Sequence, residues 1–108
     1  MLRKIECYLM PSKLENLRDL LMRLGIEGMS VLEARGFGTR SKVKNGKPQF
    51  EDRIRVDIVV DEKVVDSVIN EIKNLAGEGN IGAGKIFVIP VEDAIRLSTR
   101  EHGKSAIF

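Results

Sequence analysis

Ile54, Val56, Ile58 and Val60 alternate with Arg55, Asp57 and Val59, a period of two that commits this stretch to a strand with one face in a core. Such a strand cannot bury its apolar side alone and needs a packed layer over it. The flanking sequence supplies one. Residues 4–9 read as another strand, and Pro11 followed by Ser12 marks a turn in which Ser12 is placed to cap a helix, with Glu15 three residues later. Leu14, Leu17, Leu20, Leu21 and Leu24 then recur at helical spacing until Gly25 ends the run. Residues 28–34 form a second strand with Met29, Val31 and Leu32 assigned inward. After the alternating strand, Val64, Val65, Val68, Ile69 and Ile72 share one face of a helix over 62–76, and 85–90 is a last buried strand. A short helical pattern at 92–96 opens a polar tail.

The order strand, helix, strand, strand, helix, strand is the split βαβ pattern of α+β, ferredoxin-like folds with an antiparallel sheet. At 108 residues it fits one domain, 1–108, with a long loop between the second and third strands. Two helices cover one sheet face, so the other is expected to be covered by further copies of the chain. No apolar run approaches the ~20 residues of a membrane helix, and Met1-Leu-Arg-Lys leads straight into a strand rather than a signal peptide. Cys7 is the only cysteine and lies in an apolar strand, so it reads as a buried small side chain in a reducing, cytoplasmic compartment.

A net charge of +2 gives too weak a field for general nucleic-acid binding. Arg35-Gly-Phe-Gly38 does match the start of an RNA-recognition signature, yet an aromatic content of 5% leaves no platform for stacking bases. His102 with Glu101 beside it has no nucleophile or metal-ligand set spaced around it, and nothing marks a catalytic residue. The informative corner is Gly82-Ala-Gly-Lys85, directly before the last strand. Glycines let the main chain approach an anion, a turn of exposed N–H groups makes a positive concavity, and Lys85 adds a charge, which together suit a phosphate. The loop over 36–52 is rich in Gly and Lys, and its Arg40, Lys42, Lys44 and Lys47 either form a solvated face or meet an acidic partner or ligand phosphates.

Taken in order, Pro11-Ser-Lys-Leu14, Gly25-Ile-Glu-Gly-Met-Ser-Val31, Gly36-Phe-Gly38, Arg55-Val-Asp-Ile-Val-Val60, Gly82-Ala-Gly-Lys-Ile-Phe-Val88 and Ala94-Ile-Arg-Leu-Ser-Thr99 resemble the PII signal-transduction family nearly end to end. The resemblance implies a homotrimer that is not an enzyme and that binds ATP, ADP or AMP in clefts shared by neighbouring subunits. It places Ser30 and the Val59 backbone near the adenine, and Gly36, Gly38, Thr39 and Arg40 at the loop root beside the phosphates. Gly82, Ala83, Gly84 and Lys85 become the phosphate loop, about 79–85, and Arg96 and Ser98 come from the tail. The loop over about 37–53 becomes an effector loop, with Lys42, Lys44, Lys47 and Phe50 meeting an unidentified protein target such as a transporter, enzyme or regulator.

Departures from the family pattern narrow the ligands. The loop is shorter than in better-known members and has no tyrosine to modify. Arg40 stands where those members have a glutamine that helps bind Mg-ATP with 2-oxoglutarate, so its cation counts against both magnesium and 2-oxoglutarate. Ser98 replaces an arginine for which Arg100 is near enough to substitute, and Arg53 keeps the charge of a family lysine. The alternatives are a relative sensing bicarbonate or a cyclic nucleotide, and a small ferredoxin-like phosphohydrolase. No direct membrane insertion and no nucleic-acid partner are expected.

Overall fold

The computed structural model describes residues 1–77 and 84–107. β1 (Leu2–Leu9) is followed by a 3₁₀ turn at Pro11–Lys13 and α1 (Leu14–Arg23). β2 (Ser30–Gly36), the short β3 (Val43–Lys44) and β4 (Lys47–Pro48), and β5 (Glu51–Asp61) come next. α2 (Val65–Ala76) and β6 (Lys85–Val91) complete the fold. The main sheet has the order β2-β5-β1-β6, and every neighbouring pair in it is antiparallel. This is the ferredoxin-like α+β arrangement, with β1 and β5 central and β2 and β6 at the edges.

Alternation decides which face is dry. Ile5, Cys7 and Leu9 of β1 and Ile54, Val56, Ile58 and Val60 of β5 are all buried against Leu17, Leu20 and Leu21 of α1 and Val65, Val68 and Ile72 of α2. Leu32 is a correction. It pairs with Arg55, between the inward Ile54 and Val56, and so belongs to the opposite, open face.

Pro11, not Ser12, starts the first helix. Neither the 3₁₀ turn nor α1 has a side-chain cap, because Pro11, with its torsion already fixed, takes the first helical position and leaves Ser12 inside the turn. At the other end Gly25 adopts φ +78, Ile26 N donates to Leu21 O at 2.9 Å and Gly25 N to Met22 O at 3.1 Å, a Schellman closure. α2 is preceded by a 3₁₀ turn at Glu62–Val64, capped by Asp61, whose carboxylate accepts from Lys63 N at 3.0 Å.

The helical pattern assigned to 92–96 does not form. Asp93 Oδ1 accepts from Ala94 N at 2.9 Å and from Gly103 N at 3.2 Å, so a side chain competes for the donors a helix would use. The tail instead folds back through an Ile95–His102 bridge and ends in a 3₁₀ turn at Gly103–Ile107.

Cys7 is 2% exposed, and burial pushes its thiol up to about 11. Its thiolate fraction at pH 8 is then about a hundredfold below that of a free thiol. Alkylation by iodoacetamide is therefore expected to be at least that much slower in the native protein than in urea, and equal rates would show that the site is open.

Candidate functional site

Strand register sorts the candidate residues by the end of the sheet they occupy. At one end Gly36 pairs with Glu51, Ala34 with Arg53 and Leu32 with Arg55, while Tyr8 faces Arg55 on one side and Lys85 on the other. The loop root, with Gly36, Gly38, Thr39 and Arg40, therefore shares an end with Gly84 and Lys85. At the opposite end Leu2 lies between Asp61 and Val91, where the tail departs, and Lys104 Nζ reaches Asp61 Oδ2 at 3.4 Å. Val59 lies opposite Lys4 near this end, Ser30 faces Asp57, and Arg96 and Ser98 belong to the tail. The run from Lys85 to Val91 covers about 20 Å at ~3.3 Å per residue. The candidate residues of one chain therefore fall into two separate sets, or candidate half-sites.

The first half-site is cationic. Gly82 and Ala83, with most of the expected phosphate loop, lie outside the described residues. Gly84 has φ +118 and sits so close to β1 that a Cβ would run into the Tyr8 carbonyl. Only glycine permits that approach, and it sets Lys85 at the head of β6. Among the described residues Lys85, Thr39 and Arg40 make no ion pair, whereas Arg53 Nη2 is held by Glu51 Oε2 at 2.8 Å and Arg35 Nε by Asp52 Oδ1 at 3.6 Å. Gly38 N donates to Ser41 Oγ at 2.8 Å and Ser41 N to Gly38 O at 3.1 Å. The Ser41 hydroxyl thus occupies the Gly38 N–H, a local closure the sequence reasoning missed although the Gly38-x-x-Ser41 spacing carries its signal.

A cavity of about 870 Å³ lies on the helix-covered side of the sheet, where Cys7, Leu9, Ile72, Ile86 and Val88 give it apolar walls and Lys73, Asn74, Gly84 and Lys85 also line it. The candidate corner at Gly84 and Lys85 thus borders this cavity on one side and solvent on the other.

The second half-site is a folded tail. Arg96 N donates to Glu101 O at 2.9 Å and Arg100 N to Arg96 O at 2.6 Å, with Arg100 at φ +62. Arg96 Nε is buried and, among the described residues, has no hydrogen-bond partner. A buried N–H without an acceptor is costly, so this one is suited to an incoming anion. His102 is oriented by Asp93 rather than by Glu101: its Nδ1 lies 2.9 Å from Asp93 Oδ2. That hydrogen bond holds the Asp93 carboxyl below the usual carboxylate range against an opposing desolvation, with help from the Ala94 and Gly103 N–H groups. Cys7 in the core and His102 on the tail do not form a common site.

The open face between the half-sites carries a partly buried ion network. Arg55 grips Asp57 through two hydrogen bonds, Nε to Oδ1 at 3.1 Å and Nη2 to Oδ2 at 3.0 Å. Lys4 Nζ lies 3.0 Å from Glu6 Oε1 and 3.6 Å from Asp57 Oδ2. Phe87, Val88 and Ile89 on β6 and Val31 and Leu32 on β2 stay more than a third exposed, which leaves both sheet edges apolar and uncovered.

Fold and site together define a split βαβ domain with cationic side chains, unpaired among the described residues, at one end of its sheet and an arginine-bearing tail at the other. The sequence pattern of the family described as Nitrogen regulatory protein P-II matches residues 2–101. A nitrogen regulatory protein P-II of Azospirillum brasilense is 36% identical over 112 residues, covering 98% of this chain and 100% of its own, and that of Nostoc punctiforme is 38% identical with the same coverage. An Arabidopsis thaliana homologue is 38% identical over 95% of this chain and 56% of its own length. The crystal structure of Arabidopsis thaliana PII bound to citrate superposes with a TM-score of 0.83 at 37% identity, over 98% of this chain and 89% of that one. The chain belongs to the nitrogen regulatory P-II family of signal-transduction proteins, whose members are regulatory rather than catalytic.

Proposed function

We propose that three copies of this chain assemble so that the Lys85 end of one meets the tail end of its neighbour, and that ATP, ADP or AMP binds in each cleft so formed. The observation that carries this is the separation of the half-sites, Lys85 at the head of β6 and the tail that bears Arg96 leaving beyond Val91, about 20 Å further along the strand, with Arg96 Nε buried and without a hydrogen-bond partner among the described residues. A second copy brings them together. Ser30 and Val59 then lie on the adenine side, Gly36, Gly38, Thr39, Arg40, Gly82, Ala83, Gly84 and Lys85 on the phosphate side, and Arg96 and Ser98 close the cleft from the neighbour. The number of phosphates facing Arg40 sets the conformation at the loop root, and the loop engages or releases a target protein in the cytoplasm. A coupling of ~1 to 3 kcal/mol is enough for such a switch.

Arg40 is exposed and unpaired among the described residues, which disfavours a divalent metal beside it and leaves 2-oxoglutarate without the metal that would hold it. The same free cation would also receive bicarbonate or a cyclic nucleotide, and mass spectrometry of co-purified ligand separates these from an adenine nucleotide. Calorimetry on the purified protein is expected to show saturable binding of at least one of ATP, ADP and AMP below millimolar concentration. Absence of heat with all three, or a monomer by sedimentation, would remove the proposal.

A further inference from the structure

The tail beyond β6 is a miniature hairpin closed at its base by one carboxylate. Gly103 N donates to Ala94 O at 2.9 Å, Ile95 faces His102 across the bridge, and Arg96 N donates to Glu101 O at 2.9 Å. Arg96 stands where the chain enters the turn, and Arg100 closes that turn at φ +62. A two-stranded hairpin is at best marginally stable by itself in water. This one therefore depends on whatever ties its two arms together.

Asp93 supplies the tie. Its Oδ1 accepts from Ala94 N at 2.9 Å and from Gly103 N at 3.2 Å, one donor on each arm, and its Oδ2 lies 2.9 Å from His102 Nδ1. The two side chains are 49% and 62% exposed, so both exchange protons with solvent. Around them Glu92 and Glu101 adjoin in sequence, Arg96 and Arg100 belong to the hairpin, Lys104 reaches Asp61 on β5, and the Met1 ammonium sits on Glu62 at the same sheet end. Of these side-chain types only imidazole ordinarily changes charge between about pH 5 and 8. The neutral ring carries one N–H and the imidazolium two, so Nδ1 always has a proton to donate only in the charged form. Asp93, held below the usual carboxylate range, stays ionised throughout. The tie is therefore firm on the acid side of the histidine titration and slackens as pH rises through it, and it fails again only where acid protonates Asp93.

We infer that Asp93 and His102 are positioning residues for Arg96: their clasp holds closed the hairpin that presents this arginine to the nucleotide, and proton uptake by His102 tightens the cleft. This rests on Arg96 being the phosphate-contacting group proposed above. The clasp touches no ligand itself. It acts through the backbone, because the Ala94–Gly103 rung that it fixes lies two residues from the Arg96–Glu101 rung.

The test is calorimetry of the purified full chain with ATP, ADP and AMP at about pH 6 and about pH 8. Nucleotide phosphates titrate as well, so each variant is compared with the unmodified protein at the same pH. Asp93→Ala, which removes all three contacts, is expected to weaken binding about fivefold or more at the lower pH. His102→Gln is expected to weaken it about threefold at the lower pH and hardly at the higher. Adding His102→Gln to Asp93→Ala is expected to change nothing further. A pH effect of His102 that survives the loss of Asp93 would be its charge acting directly on the phosphates and would overturn the clasp, as would full affinity in Asp93→Ala. Amide hydrogen exchange without nucleotide reads the hairpin itself: protection at Arg96 and Gly103 is expected to fall about tenfold in Asp93→Ala while Ile5 and Val56 in the central strands keep theirs. Unchanged protection beside normal nucleotide binding sinks the clasp alone. Absence of binding by the unmodified protein with all three nucleotides sinks the cleft and the role of the clasp in it together.

Discussion

Gly84→Ala is expected to lower the thermal midpoint by about 10 °C and to weaken nucleotide binding with it. At φ +118 an L residue is strained by itself, at a cost of ~1–3 kcal/mol. The added methyl also meets main chain: besides the Tyr8 carbonyl oxygen, the Tyr8 carbonyl carbon lies 2.7 Å and Leu9 Cα 3.4 Å from its position. β1 cannot retreat, because β5 pairs along its other side from Leu2 to Leu9. The head of β6 must move instead, and Lys85 with it. Gly28→Ala is the control, since its Cβ would meet nothing within 4 Å and its backbone is ordinary. Calorimetric unfolding of the two variants decides the matter: equal midpoints would mean that β6 does not press on β1 at this point.

Lys85→Ala and Arg96→Ala are each expected to weaken ATP, ADP or AMP binding by tenfold or more, since a hydrogen bond to a charged group is worth ~1.5 to 3 kcal/mol. Their mixture is the sharper experiment. If the half-sites belonged to one cleft within a chain, every chain in the mixture would remain defective. If they meet across copies, a subunit lacking only Arg96 can present its Lys85 to the intact Arg96 of a neighbour lacking only Lys85. Unfolding and co-refolding the two variants at equal amounts is then expected to restore about a quarter of the clefts, as random placement around a closed ring of three requires. Titration would read this as a fraction of sites with unmodified affinity. No recovered fraction after confirmed mixing would contradict a shared cleft.

Much of this was legible in the residues because two periods dominate them. The period of two over Ile54 to Val60 and the leucine spacing over Leu17, Leu20 and Leu21 each named a buried face that the structure keeps, whereas Leu24, read as the last member of that face, is left exposed past the helix end. Gly25 and Gly77 stand where the helices stop. What failed was local and polar. Ser12 lost the helix start to a proline one residue earlier, and the tail pattern at 92–96 lost to an aspartate that collects backbone donors. The hairpin of β3 and β4 was passed over for lack of a sustained period, although Asn45-Gly46 between Val43 and Pro48 is a hairpin signal strong enough at two residues per strand. The division of the candidate site was legible only in part. Lys85 opens the last strand and Arg96 follows its end, so the two were separable in the residues, but which residues of the other strands lie beside each end required the register.

Pro90 sits in β6 opposite Arg3, on the outermost strand of the sheet. Proline is tolerated in such a strand when its nitrogen points away from the paired neighbour. Any chain zipping itself onto this margin would find a missing donor near its far end, so the margin can host a short, bounded contact but not an endless ladder. A single imino acid thus limits how far a further strand can be added along this margin.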